Sequence, residues 1–128
     1  LAFLLKEMGY SVAIFYNSQE NHESVGIKCP VEKSWHGTGY CFVETSGPAI
    51  ISDSSIEYAG GARLDSNPET MILSKGKSLP KDMQEYKDAE KMAGIRFDLN
   101  EKTFSFFDKM QYEKLRKKYN IPDFYSIG

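Results

Sequence analysis

Cysteine is scarce in this sequence, and long apolar runs are missing. The 128 residues include two cysteines, Cys29 and Cys41. Two are too few for a disulfide scaffold and predict reduced thiols in a soluble, cytoplasmic protein. The longest apolar runs, at 1–5 and 12–16, have five residues each, whereas a transmembrane helix needs about 20. We therefore expect no transmembrane helix and no membrane partner.

The sequence also has no excess of positive charge. Its net charge is −2 at pH 7, so it lacks the positive surface with which proteins bind nucleic acid phosphates. The hydrophobic share of 41% and the charged share of 27% are close to those of globular proteins, and the length is that of one domain. The composition predicts a single domain over residues 1–128 and argues against a nucleic-acid partner.

The first residues form an incomplete helical pattern. Leu1, Leu4, Leu5 and Met8 have helical spacing, and Gly9 follows as a C-terminal cap. A natural helix start would show capping residues before the apolar positions. We therefore expect that the chain is an N-terminally truncated fragment.

The remaining pattern predicts an α+β fold with a mainly antiparallel sheet. Runs rich in β-branched and aromatic residues predict strands at 12–16, 24–28, 40–45 and 70–74. The first run is apolar throughout, which is typical of an interior strand. The polar stretch 46–68 predicts a long loop.

The C-terminal part predicts a helix, a hairpin and a second helix. Helical spacing after a first-turn proline predicts a helix over 80–93, and Gly94 is expected to end it. Apolar residues alternate over 95–99 and again over 104–106, which favours a β-hairpin. Asp108 is expected to cap the last helix, which runs through Tyr119 and is ended by Asn120 and Pro122.

Two titratable residues are in positions typical of an acid-base pair. His22 lies at the start of the second predicted strand, and Glu44 is a carboxylate within the apolar third strand. A carboxylate beside an imidazole fixes the tautomer of the ring and stabilises its charged form. The pair predicts a general acid or base at His22, oriented by Glu44. The alternative is a solvated loop histidine and an edge-strand charge.

Four segments follow one another in a recognisable order. They are a helix over 1–10, a strand over 11–14, the histidine segment 22–27, and the segment 40–45, which is YCFVET. This order resembles the prokaryotic transglutaminase-like group of the papain-like cysteine peptidase superfamily, over about residues 1–48. The resemblance implies a transglutaminase-like core with mainly antiparallel strands. Residues 49–128 then form a C-terminal extension.

The resemblance also implies a function and a catalytic set. Its histidine corresponds to His22, its acidic partner to Glu44, and its cysteine nucleophile would lie at the start of the first helix, where this chain has none. Cys41 lies within a strand and Cys29 precedes a proline, so neither replaces that cysteine convincingly. The expected protein is a cysteine hydrolase or acyltransferase, without cofactor, that acts on amide or acyl bonds of a protein or peptide. It is an enzyme only if an upstream segment supplies the cysteine.

Three further residues are candidates for the same site. Trp35 and Tyr40 flank a glycine-containing turn and are predicted to bind substrate, the alternative being a packing role. Asp53 is a weaker candidate acid than Glu44, because it lies among serines where turn chemistry explains it.

A zinc site is a further alternative, since His22, Cys29, His36 and Cys41 are the ligand types that zinc prefers. Their spacing argues against it, because no pair forms the Cys-x-x-Cys knuckle of structural sites. The sequence therefore predicts no metal.

A non-catalytic interaction module on the same fold is the alternative to an enzyme. The absent nucleophile favours it, as does a glutamate where many members of the superfamily have aspartate. The aromatic residues of 104–107, with Phe124 and Tyr125, would then offer a surface for a partner or for self-association into a homo-oligomer.

Overall fold

The structure is a computed structural model that describes residues 1–45, 48–55, 64 and 66–121. Its elements are α1 (Ala2–Glu7), β1 (Val12–Asn17), β2 (His22–Lys28), β3 (Tyr40–Val43), β4 (Glu69–Ser74), α2 (Gln84–Asn100) and α3 (Phe106–Tyr119). Short 3₁₀ turns occur at Val31–Lys33 and Trp35–Gly37. Among the described residues, no helix is long and apolar enough to cross a membrane.

The four strands form one sheet in the order β3-β2-β1-β4. All three neighbouring pairs are antiparallel, which confirms the α+β class and the antiparallel sheet. The strands are those that the sequence predicts, although β2 begins two residues earlier, at His22, and β3 ends at Val43. The interior position of β1 agrees with its apolar run, since Val12, Ala13 and Phe15 are fully buried.

The two sides of the sheet are covered by different parts of the chain. The side that carries Phe15 and Phe42, called the aromatic face below, packs against Trp35 and Leu64. The other side carries Ile27 and Cys41, and there the partly buried Leu5 of α1 and Tyr86 of α2 join the core.

Close packing on the aromatic face depends on a missing side chain. The ring edge of Phe15 lies over Gly26, and a Cβ at that glycine would be 2.7 Å from Cε2 of Phe15. Trp35 then meets both Phe15 and Phe42 edge to face, with ring centroids 5.0 Å apart in each case. This geometry is favourable for aromatic pairs, so Gly26 allows one compact cluster to form.

A disulfide joins Cys29 to Cys41, with a Cα–Cα distance of 5.8 Å. The prediction of reduced thiols is therefore wrong. The sheet register explains the bond. Cys41 of β3 lies opposite Ile27 of β2, and Cys29 follows Ile27 by two residues. The N–H of Cys29 donates to the carbonyl of Gly39 at 3.1 Å, which keeps the two chain segments side by side. The prediction of a cytoplasmic location loses the support that reduced thiols gave it.

The predicted hairpin in the C-terminal part is also wrong. Residues 95–99 continue α2, which passes through Gly94 and ends at Asn100, and 104–106 lead into α3. The helix is favoured by burial, because Met92 and Ile95 lie one turn apart and pack against Tyr112 of α3. The predicted helix–hairpin–helix is thus a pair of helices joined by a short turn.

Helix α3 begins with a capping box rather than with Asp108 alone. The Ser105 hydroxyl accepts the N–H of Asp108 at 3.1 Å, and the Asp108 carboxylate accepts the N–H of Ser105 at 3.1 Å. Asp108 is thus the third helical residue and Ser105 is the cap. The predicted end at Tyr119 is confirmed, since Asn120 follows in the left-handed conformation.

A buried carboxylate ties α2 to α3. Asp88 is 3% exposed and accepts hydrogen bonds from Lys118 at 2.7 Å, Tyr119 at 2.5 Å and Gln84 at 3.0 Å. Burial alone would raise the pKa of Asp88, but these three donors outweigh it and lower the pKa to about 2.

Removing the disulfide should destabilise the protein. Replacing Cys29 and Cys41 together by serine removes the crosslink between two residues that are 12 apart. The unfolded chain gains conformational entropy, which lowers the free energy of unfolding by about 3 kcal/mol in the chain-entropy description. Urea unfolding of the variant and of the wild type measures this loss. Wild type under reductant is the control and should unfold like the variant. Equal stability of oxidised and reduced wild type would contradict the prediction.

Asp88 should make stability depend on pH in the acid range. The folded pKa of Asp88 is about 2 and lies below the unfolded value of ~3.9. The ionised carboxylate therefore stabilises the fold above pH ~3.9, and this stabilisation is lost as the pH falls through 2. Asp88→Asn should lower the free energy of unfolding at pH 7 by about 2 kcal/mol, with the difference vanishing towards pH 2. Glu90→Gln is the control, since Glu90 is exposed. A difference that does not change with pH would contradict the assignment.

Candidate functional site

The sheet brings His22 and Glu44 to the same end. His22 begins β2 and lies opposite Asn17, the last residue of β1. The ladder between β2 and β3 ends where Val43 lies opposite Val25, and Glu44 follows directly. This edge, called the His22 end below, therefore receives the end of β1, the start of β2 and the end of β3.

Alternation also places the polar residues on one face. Directly opposed residues of an antiparallel pair share a face, so His22 lies on the side of Asn17, and Ser24 on the side of Phe15. Glu44 comes two residues after Phe42, which returns it to the aromatic face if the chain stays extended. His22 thus lies on the aromatic face, and Glu44 follows the last residue of β3 at the same edge of the sheet.

Two buried polar atoms lie beside His22 on this face. Among the described residues, the Oδ1 atom of Asn17 and the Oγ atom of Ser24 have no hydrogen-bond partner, although Asn17 is 0% and Ser24 is 6% exposed. The Nδ2 group of Asn17 does donate, to the carbonyl of Ser66 at 2.9 Å. A buried polar atom without a partner costs about 1–3 kcal/mol. The two atoms are therefore places where a ligand or an ordered water can donate a hydrogen bond.

Glu44 lies at the same edge of the sheet as these polar residues. Its Oε1 atom accepts the N–H of Thr45 at 2.8 Å, and both Glu44 and His22 are half-buried. A half-buried imidazole and a carboxylate at the same edge of the sheet are groups that can transfer a proton. The direct pairing of His22 with Glu44 stays a prediction.

Trp35 and Tyr40, the predicted substrate-binding residues, lie in different surroundings. Trp35 is half-buried and lines a cavity of about 460 Å³ between the 30–40 loop, the segment 52–55 and α2. Tyr40 is buried, and its Oη atom lies 2.9 Å from Oγ of Ser11. Neither His22 nor Glu44 is among the described residues that line this cavity. The role of both aromatic residues in substrate binding stays a prediction.

The cavity wall contains an ion pair that the sequence pattern does not reveal. Asp53 is 2% exposed, and its Oδ2 atom lies 2.5 Å from Nη1 of Arg96 on α2. The same arginine donates to Oγ of Ser55 at 2.8 Å. Asp53, the weaker candidate acid, thus ties the segment after β3 to α2. No spacing rule joins residues 43 positions apart, so only the fold identifies Arg96 as its partner.

The disulfide settles the role of the two cysteines. Neither Cys29 nor Cys41 is a free thiol, so neither serves as a nucleophile in this state. They are equally unable to join His22 and His36 as zinc ligands. Among the described residues, no group of three His, Cys, Asp or Glu side chains could hold a metal ion.

Substituting the two buried serines should separate function from packing. Ser24→Ala removes an unpartnered hydroxyl and should leave the free energy of unfolding unchanged or slightly higher. Ser11→Ala is the matched control, because Ser11 bonds to Tyr40 and to the carbonyl of Ser74, and it should lose about 1 kcal/mol or more. Urea unfolding measures both. A larger loss for Ser24→Ala than for Ser11→Ala would show that Ser24 has a structural role.

Comparison of the chain with protein-family models, curated proteins and solved structures gives no match. The resemblance to the transglutaminase-like group stays a prediction from the order of four short segments along the chain.

Proposed function

We propose that this chain supplies the histidine and the acid of a transglutaminase-like cysteine hydrolase or acyltransferase, which acts on amide or acyl bonds of a protein or peptide. The proposal rests on the polar residues Asn17, Ser24 and His22 at the His22 end. There, the unpartnered Oδ1 of Asn17 and Oγ of Ser24 lie on the face of His22, where a protein built only for stability would place apolar side chains.

The residues divide the chemistry between them. His22 takes the proton of a thiol, and the thiolate attacks the carbonyl carbon of the substrate, forming a C–S bond. The C–N bond then breaks, and His22 gives its proton to the departing amine. Water, or an amine in acyl transfer, attacks the thioester and regenerates the thiol. Glu44 orients the imidazole throughout and is a positioning residue.

The thiol must come from outside these 128 residues, because both cysteines of the sequence are joined to each other. Oxidation removes the thiolate that acts as nucleophile. The chain alone should therefore hold the acid-base half of the site and show no hydrolysis.

The second candidate is a non-catalytic interaction module on the same fold. It is favoured by the absence of a free thiol and by exposed aromatic residues on α3, where Phe106 and Phe107 are 77% and 65% exposed. Phe104 is different, since it packs against the core. Phe124 and Tyr125 lie outside the described residues.

The tautomer of His22 tests the acid-base half directly. If Glu44 accepts a hydrogen bond from one ring nitrogen, the neutral imidazole should occupy a single tautomer in ¹⁵N NMR spectra at pH 8. Glu44→Ala should then produce a mixture of tautomers at His22. His36 is an internal control, because it is exposed and should not respond. A His22 spectrum that is the same with and without Glu44 would remove the acid from the proposal.

Thiol reactivity tests the enzymatic half, in a protein in which this chain is joined to the segment that carries the cysteine. Iodoacetamide should label that cysteine at neutral pH faster than it labels free cysteine, and His22→Ala should abolish the advantage while His36→Ala leaves it intact. Labelling that does not depend on His22 would favour the interaction module.

A further inference from the structure

Strand β4 presents an open, apolar edge. It is the last strand of the sheet and pairs only with β1 among the described residues. Three consecutive apolar side chains, Met71, Ile72 and Leu73, are 64%, 52% and 49% exposed. A row of unpaired backbone groups beside apolar side chains is a template for another strand. This edge is therefore the most favourable surface in the described chain for adding one.

The sequence of β4 is complementary to itself when it runs antiparallel to a copy. If Ile72 lies opposite Ile72 of the second copy, Met71 comes opposite Leu73. Thr70 meets Ser74, and Glu69 meets Lys75. Apolar residues thus face apolar residues, hydroxyls face hydroxyls, and each acid faces a base. Such cross-strand pairs stabilise a sheet, whereas like charges opposite each other destabilise it.

An irregularity in β4 shapes this pairing. The register with β1 shifts between Val12 and Ala13, which leaves Leu73 without a partner residue on β1. In the second copy Leu73 gains one, Met71. If both copies instead leave Leu73 out of the new ladder, as two-fold symmetry then requires, Lys75 comes opposite Thr70. Glu69 is then one position away from Lys75, close enough for two long side chains to form an ion pair.

We propose that β4 pairs antiparallel with β4 of a second copy about a two-fold axis at Ile72. The interface is isologous, so each ion pair occurs twice, and the two sheets join into one with eight strands, twice the four of a single chain. The inference goes beyond the proposed function and does not use it, since no residue of the His22 end takes part.

Light scattering after size-exclusion chromatography, over a range of concentrations, tests the association. Wild type should show twice the 14.5 kDa mass of one chain. Ile72→Lys places a charge opposite itself at the axis and should give the monomer. Phe106→Lys is the matched control, because it removes an exposed apolar residue on α3 and should remain dimeric. A wild type that is monomeric at every concentration would overturn the proposal, as would dissociation by the control alone.

Charge exchange tests the register. Glu69→Lys or Lys75→Glu alone places like charges across the interface and should weaken the dimer by about tenfold or more. The double variant restores opposite charges and should recover the wild-type affinity. Two single effects that merely add in the double variant would show that the two residues do not meet.

Crosslinking tests the axis itself. Opposed residues of an antiparallel pair have Cα atoms ~4.5–5.5 Å apart, within the range of a disulfide, so Ile72→Cys should crosslink two copies on oxidation. Thr70→Cys is the control, because its two copies would lie ~13 Å apart and should not crosslink. Crosslinking of Thr70→Cys but not Ile72→Cys would exclude this register.

Discussion

The contact that organises the aromatic face is the packing of Phe15 on Gly26, with Trp35 against the Phe15 ring. A side chain at residue 26 would overlap the Phe15 ring, and a displaced ring could not keep its 5.0 Å contact with Trp35. Trp35 is the central side chain of the 30–40 loop that the Cys29–Cys41 disulfide closes. One glycine in β2 thus makes room for a ring against which this loop packs. The cavity that Trp35 lines depends on the same contact.

The aromatic face changes character along its length. Around Gly26 it is apolar and closely packed, and further along it carries Ser24, Asn17 and His22. The apolar part supplies stability, while the unpartnered atoms of Asn17 and Ser24 reduce it. Proteins commonly accept such a loss at sites where activity requires polar groups. Ser24 lies opposite Phe15 and is 6% exposed, and low exposure strengthens any hydrogen bond that its hydroxyl forms.

The strands could be predicted from the sequence because their signals are local. The apolar run of β1 and the glycines before β3 do not depend on distant residues. The predicted hairpin was wrong because two patterns overlap here. Ile95, Phe97 and Leu99 alternate as in a strand, while Ile95 also lies one helical turn from Met92. Burial of Met92 and Ile95 against Tyr112 decides in favour of the helix. That contact joins two helices and has no trace in the local pattern.

The candidate site, too, could be predicted from the sequence only as far as local patterns reach. His22 and Glu44 could be chosen from their residue types and strand positions, whereas the unpartnered atoms near them appear only once register and burial are known. The disulfide could not be predicted either. Its two cysteines are 12 residues apart, and they meet because the 30–40 loop returns β3 alongside β2. The pairing of Asp53 with Arg96 likewise depends on how α2 packs.

The two edges of the sheet are protected to different degrees. At one edge, β3 has only four residues, and the carbonyl of Phe42 accepts the N–H of Ser52 at 2.9 Å. At the other edge, β4 has six residues, five of them exposed. Proteins usually protect an edge by shortening it, charging it or covering it. The charges stand only at the two ends of β4, with Glu69 as its first residue and Lys75 directly after its last, and the residues between them are uncharged. Charges so placed select the direction and register of an added strand, because only an antiparallel copy brings each one beside its opposite.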